Sequence, residues 1–151
     1  EPSLFHPGDL DYIHSVERIG RLSNVISING GVQLDLMGQE NAESAGTRQL
    51  SGVGGQMDFL EGAFRSRGGK GFICINSSRV TKDGERKSNI LPVIPGGSTI
   101  SAPRTMIDCV ATEYGVVHLM GKSLRERAEA MASIAHPDFR EELMKYAREH
   151  F

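Results

Sequence analysis

Tryptophan is absent, cysteine occurs twice in 151 residues, and the charges nearly cancel, leaving a formal net charge of −2. The two cysteines sit apart in apolar segments, Phe72-Ile73-Cys74-Ile75 and Asp108-Cys109-Val110. Without a C-x-x-C pair they offer no redox motif, and the pattern predicts two buried, reduced thiols. The histidines (His6, His14, His118, His136, His150) are dispersed and no H-E-x-x-H occurs, so no metal is expected. Lys and Arg form no basic run, which argues against a nucleic acid partner. No apolar run approaches the roughly 20 residues needed to cross a bilayer. Glu1-Pro2-Ser3-Leu4 carries no basic leader ahead of an apolar core, so a cytoplasmic protein without a membrane partner is expected. A start at Glu1 without methionine suggests a piece of a longer chain.

What is present suits one globular domain over residues 1–151, since 38% of residues are hydrophobic and 24% charged. Leu10, Ile13, Val16 and Ile19 recur at helical spacing and predict a helix from Gly8 to a stop at Gly20. Asn24–Asn29 and Val32–Leu36 read as strands around Gly30-Gly31, a hairpin. The polar, non-periodic stretch Gly38–Leu50 predicts a surface loop. Phe59, Leu60, Ala63 and Phe64 share a helical face, with Gly68-Gly69 as the stop. Strands are expected at Gly71–Ile75, Ile90–Ile94, Ser98–Ser101, Met106–Ala111 and Val116–Leu119, with a turn at Pro95-Gly96-Gly97. Ser123-Leu124-Arg125-Glu126 is a capping box, and Pro137 fits the first turn of a second helix. Leu124, Ala128, Met131 and Ala135, then Phe139, Leu143, Tyr146 and Ala147, form the stripes those helices should bury. Strands in the middle with helices between and after them predict an open α/β fold, its sheet mixed or mostly parallel and flanked by helices.

The run Ser51-Gly52-Val53-Gly54-Gly55-Gln56 places three glycines before an apolar helix. Bare amides at a helix start can bind phosphate or a developing oxyanion, and the same glycines can equally form a tight turn. A dinucleotide fingerprint fails because Met57 stands where the third glycine belongs. A P-loop fails as well: Val116 occupies the first glycine position ahead of Gly121-Lys122-Ser123, and the intervening residues are apolar. Glu113 follows the apolar stretch Ile107–Ala111 after Thr112 and so stands at a strand end, where open α/β sheets assemble functional groups. Glu40 and Glu43 are further carboxylate candidates, and no Ser/His/Asp arrangement is legible from spacing.

A longer pattern surrounds these residues. Asp35-Leu36-Met37-Gly38-Gln39, Ser51 to Phe59, Thr112-Glu113-Tyr114-Gly115-Val116, Gly121 to Ala130 and Ala135 to Arg140 follow one another in order. Together they resemble the C-terminal domain of the acetyl-CoA hydrolase/transferase family, over about Asp11 to Met144. The resemblance implies a CoA-transferase type of domain within a two-domain enzyme that moves coenzyme A between carboxylic acids, with an acyl-CoA hydrolase or a non-catalytic CoA-binding or assembly module as the alternatives. It implies acyl-CoA and small carboxylates as substrates, no permanently bound cofactor, and its own N-terminal domain as partner, with homo-oligomers open. In the family a glutamate attacks the acyl-CoA thioester. That glutamate lies before the matching stretch, so no residue here takes the role. The loop at Gly54-Gly55 would lend backbone amide to the thioester oxyanion. By the same resemblance Val32 and Lys82 fall where CoA contacts are expected, and Glu113 falls at an acidic position lining the active site. His14 stands where the family usually carries asparagine, which makes a substrate-side hydrogen bond sensitive to pH.

Overall fold

The computed structural model describes Leu4 and residues 7–151; His6 and the start at Glu1 lie outside the described residues. The first helical segment is divided into α1 (Leu10–Ile13) and α2 (Val16–Arg21). Ser15 separates them: its hydroxyl accepts from the Arg18 amide and begins a new helix where periodicity alone predicts one continuous rod. Helix α2 runs through Gly20, because a Cβ there would lie 2.9 Å from the Arg65 side chain; the glycine serves close helix packing and not a stop.

Strand β1 (Ile26–Gly30) is followed by β2 (Gln33–Asp35), β3 (Glu40–Asn41), β4 (Ser44–Ala45) and β5 (Arg48–Gln49). Helix α3 (Gln56–Arg65) leads to β6 (Lys70–Cys74), β7 (Ser78–Val80), β8 (Arg86–Ser88) and β9 (Ile90–Leu91). The remainder is β10 (Cys109–Thr112), β11 (Gly115–His118), α4 (Leu124–Ser133) and α5 (Pro137–His150). The main sheet has the order β1-β6-β10-β11. Its first three strands are parallel and β11 returns antiparallel along the edge. A parallel β1–β6 pair requires a crossover, and α3 supplies it.

The hairpin expected around Gly30-Gly31 does not form. Strand β2 leaves the main sheet and pairs antiparallel with β3 and parallel with β9, and Leu34 within it and Leu36 just after it are completely buried. Core burial outweighs the local turn preference, as each buried leucine contributes about 1.5–3 kcal/mol. Nor is residues 38–50 a surface loop: it holds β3 to β5, and Glu40, Asn41, Glu43 and Ser44 are buried. Polar residues survive there because Asn41 replaces missing backbone partners. Its Nδ2 donates to the Ser44 carbonyl at 2.8 Å, and its Oδ1 accepts from the Ser44 amide at 2.9 Å. Residues 98–101 form no strand; the neighbouring contact is one bridge between Glu40 and Ala102.

The capping box and Pro137 stand as the sequence predicts. Ala128, Met131, Ala135, Leu143 and Ala147 join Leu34, Leu36, Ile73 and Val110 in the core, with Phe139 and Tyr146 packed against it. Leu124 departs from its stripe: it is the first residue of α4 and is exposed. Cys109 is buried, whereas Cys74 is exposed, because it is the last residue of β6, at the open carboxyl edge of the sheet. Among the described residues, no helix is long and apolar enough to cross a membrane.

Candidate active site

The carboxyl ends of the parallel strands frame the first part of the site. Gly30 of β1 and Ala111 of β10 flank Cys74 of β6 in register. The residues just beyond, Gly31 and Glu113, line a cavity of about 400 Å³ together with Cys74, Asn76 and Thr112. Open α/β sheets bind ligands in this position because strand ends diverge into loops there. Glu113 is not a free carboxylate. Its Oε2 accepts from the Ser77 amide at 2.9 Å and its Oε1 from the Ser77 hydroxyl at 2.6 Å. Burial pushes the Glu113 carboxyl up, but the two Ser77 bonds outweigh it and hold the group below the ordinary carboxylate range.

The second part is the glycine loop. Gly54 adopts φ +64°, in the left-handed region that favours glycine, and Gly55 is the N-cap of α3 without a capping side chain. The first-turn amides of α3 therefore have no side-chain cap, the arrangement that suits an incoming anion. The His14 imidazole packs on Gly55, its Cε1 and Nδ1 occupying the space a Cβ would need. His14 Nδ1 lies 3.2 Å from Asp58 Oδ2, and the ring meets Phe59 edge-on at 5.1 Å. Two residues 41 positions apart in sequence, His14 and Gly55, are thus in direct contact.

Glu40 joins the two parts. Its side chain is fully buried, Oε2 accepts from Gln56 Nε2 at the first residue of α3, and Oε1 has no hydrogen-bond partner among the described residues. A Cβ on Gly31 would lie 2.8 Å from Oε1, so Gly31 is open on the side where the carboxyl sits. Burial raises the Glu40 pKa from 4.5 to about 7, opposed only by the Gln56 bond. The folded protein therefore holds a proton that the unfolded chain releases above pH 4.5. Stability from this group is fully present below that value and is lost as pH rises towards about 7. Urea midpoints of the parent and Glu40→Gln, measured from pH 4 to pH 8, are expected to show a fall over this window in the parent that the variant lacks. Parallel curves would contradict a proton on Glu40.

Val32 follows Gly31 and donates its amide to the Asn41 carbonyl at 2.9 Å. Its side chain lines a separate cavity of about 420 Å³ with Leu50, Pro95 and Arg79. Lys82 sits at the exposed tip of the β7–β8 hairpin, and no ion pair with it is found among the described residues. Arg79, on the same hairpin, is the cation beside Val32, a placement that linear spacing does not disclose. Gly31 and Gln56 were equally hidden, since their significance lies in the residues they touch across the fold. Asp108, Cys109 and His118 are a group of side chains able to hold a metal, at the opposite end of the parallel strands, where Asp108 Oδ1 and His118 Nε2 pair at 2.7 Å.

The family model described as acetyl-CoA hydrolase/transferase C-terminal domain matches residues 3–147. The chain is 45% identical to the butyryl-CoA:acetate CoA-transferase of Anaerostipes caccae over 138 residues, which is 91% of this chain and 31% of that protein. It is 47% identical to the 4-hydroxybutyrate coenzyme A transferase of Clostridium kluyveri over 142 residues, covering 94% of this chain and 32% of the relative. Among solved structures, RipA from Yersinia pestis superposes with a TM-score of 0.81 at 39% identity, over 92% of this chain and 30% of that one. The chain spans about a third of the length of these relatives.

Proposed function

The chain belongs to the family of acetyl-CoA hydrolase/transferase C-terminal domains, and on that premise we propose that it is the carboxyl-terminal part of a CoA-transferase. The complete protein would move coenzyme A from an acyl-CoA to a small carboxylic acid. The observation that carries this reading is continuity: Glu113, Gly31, Glu40, Gln56, Gly55 and His14 form an unbroken chain of shared cavity walls, contacts and hydrogen bonds. Residues 1–151 act as one domain whose partner domain, encoded upstream, carries the attacking glutamate.

In this reading the glutamate carboxylate attacks the thioester carbon, and the carbonyl oxygen becomes a tetrahedral oxyanion beside the uncapped amides at Gly54-Gly55. Collapse expels the CoA thiolate and leaves an acyl-glutamyl anhydride. The thiolate then attacks the glutamyl carbonyl, releases the acyl carboxylate and gives a glutamyl-CoA thioester. An acceptor carboxylate reverses the sequence; water in its place makes a hydrolase. His14, with Nδ1 directed at Asp58, presents its other nitrogen to substrate, and Glu113 holds the Ser77 loop that walls the cavity. Val32 and Lys82 meet CoA, Lys82 as an exposed cation for phosphate, with Arg79 beside Val32 to assist.

The test uses the full-length protein. Incubation with butyryl-CoA, borohydride reduction and peptide mass analysis should find one modified glutamate upstream of Glu1, along with exchange of labelled acetate into the thioester pool. Absence of both would remove the transferase reading. Release of free CoA at the same rate with and without acetate would favour hydrolysis.

A further inference from the structure

The buried Glu40 side chain is unexplained by the reaction just described, because it is fully enclosed and touches no reacting atom. A buried carboxyl with only one hydrogen bond costs stability, by roughly 1–3 kcal/mol for each unsatisfied group. An apolar residue of the same shape would fill the space without that penalty. The bond it does make is therefore informative. Its acceptor lies on β3, whose backbone is fixed by pairing with β2 and by the bridge to Ala102. Its donor is Gln56, the residue immediately after the N-cap Gly55. Among the described residues the loop is otherwise bonded at its entry, where the Ser51 amide donates to the Glu43 carbonyl at 3.3 Å and Gln49 Nε2 donates to the Ser51 carbonyl at 2.7 Å, whereas Gly55 has no capping side chain, and Gly52 and Gly54 have open space where a Cβ would be. On the other side, His14 presses on Gly55.

We propose that Glu40 is a positioning residue: by accepting from Gln56 it ties the start of α3 to β3, and so sets the aim of the Gly54-Gly55 amides. The proposal rests on the transferase reading for its catalytic consequence, since a misaimed oxyanion site would weaken the transition state more than the bound substrate. The positional claim concerns the loop itself. Gly31 is part of the same device, because its missing Cβ leaves room for the carboxyl.

The experiment compares Glu40→Gln, Glu40→Met, Gln56→Met and the double variant Glu40→Met/Gln56→Met in the full-length protein. Glu40→Gln keeps an acceptor of the same shape, so it should retain the parent's kinetics. Loss of the bond in either methionine variant should lower kcat by about tenfold with KM for acyl-CoA within about twofold, the size of one buried hydrogen bond. The double variant should be no worse than either single one, because both remove the same bond. Amide hydrogen exchange over residues 52–57 should accelerate in the methionine variants and not in Glu40→Gln. A loop that exchanges as in the parent after Gln56→Met overturns the proposal, even where Glu40→Met fails to fold. So do kinetic losses that multiply in the double variant. A parent protein that moves no CoA defeats the transferase reading instead, and the exchange rates still decide the role of Glu40.

Discussion

Gly55→Val is expected to reduce the CoA transfer proposed for the full-length protein by about 100-fold or more, because displacement of a reacting group by about 1 Å costs that much. The physical reason is specific. The His14 ring fills the space that any Cβ at position 55 requires, with Cε1 and Nδ1 inside van der Waals separation. A branched side chain must therefore push either the imidazole or the start of α3 aside. Displacing the ring strains its approach to Asp58, and displacing α3 moves the amides proposed to meet the oxyanion. Overpacking of this type costs about 1–3 kcal/mol, so stability should fall as well. A second pair of variants separates crowding from backbone effects. Gly55→Ala alone should lower the urea midpoint, and adding His14→Ala should restore most of it by removing the ring. If Gly55→Ala is equally costly with and without His14, the contact is not what demands glycine.

Arg127→Met should destabilise the chain by about 4 kcal/mol, a large share of the 5–15 kcal/mol that separates folded from unfolded domains. Arg127 is buried in α4 and donates three hydrogen bonds to backbone carbonyls: Nε to Met37 at 2.8 Å, Nη1 to Leu119 at 2.9 Å and Nη2 to Arg104 at 2.8 Å. These acceptors come from three separate connections, so one side chain joins α4 to the turn after β2, to the end of β11 and to the segment before β10. Burial lowers the Arg127 pKa, with the nearby Arg104 charge acting the same way and Asp35 opposing, yet a guanidinium stays charged at neutral pH. Methionine fills the volume and leaves three carbonyls without a donor, each costing about 1–3 kcal/mol. Lysine should rescue little, because an ammonium is a compact charge and cannot span three divergent carbonyls as a planar fork does. Urea denaturation of Arg127→Met and Arg127→Lys measures both; a loss below about 1 kcal/mol in each would show that water replaces the fork. Gly38 belongs to this joint, since a Cβ there would sit 2.8 Å from Arg127 Nη2 and its φ of +84° disfavours any other residue.

How legible these features are depends on the range of the physics behind them. The capping box at Ser123, the N1 proline at Pro137 and the helix after Gly55 are local, as each is decided by residues within one turn. They stand in the structure where the sequence places them. The division at Ser15 is also local, but the capping preference of serine competes there with an apolar periodicity that runs across it. The failures lie elsewhere. Gly30-Gly31 has the composition of a hairpin turn, yet the fate of the following strand was decided by β3 and β9, which supply a better burial for Leu34 and Leu36. Residues 40–44 read as surface because their side chains are polar, and only the partners brought to Asn41 and Glu40 make the interior tolerable to them.

The sequence by itself determined the α/β class, the closing helices and the presence of a glycine loop before a helix, because hydrophobic period, caps and left-handed backbone are properties of neighbouring residues. Its ordered motifs also carried the family resemblance that the comparisons bear out. Only the tertiary structure decided that His14 rests on Gly55, that Ser77 occupies both oxygens of Glu113, and that a buried Glu40 reaches Gln56. These are meetings between residues far apart in the chain. Whether a carboxylate is solvated, clasped or enclosed depends on what the fold places around it, and burial and partner set its charge.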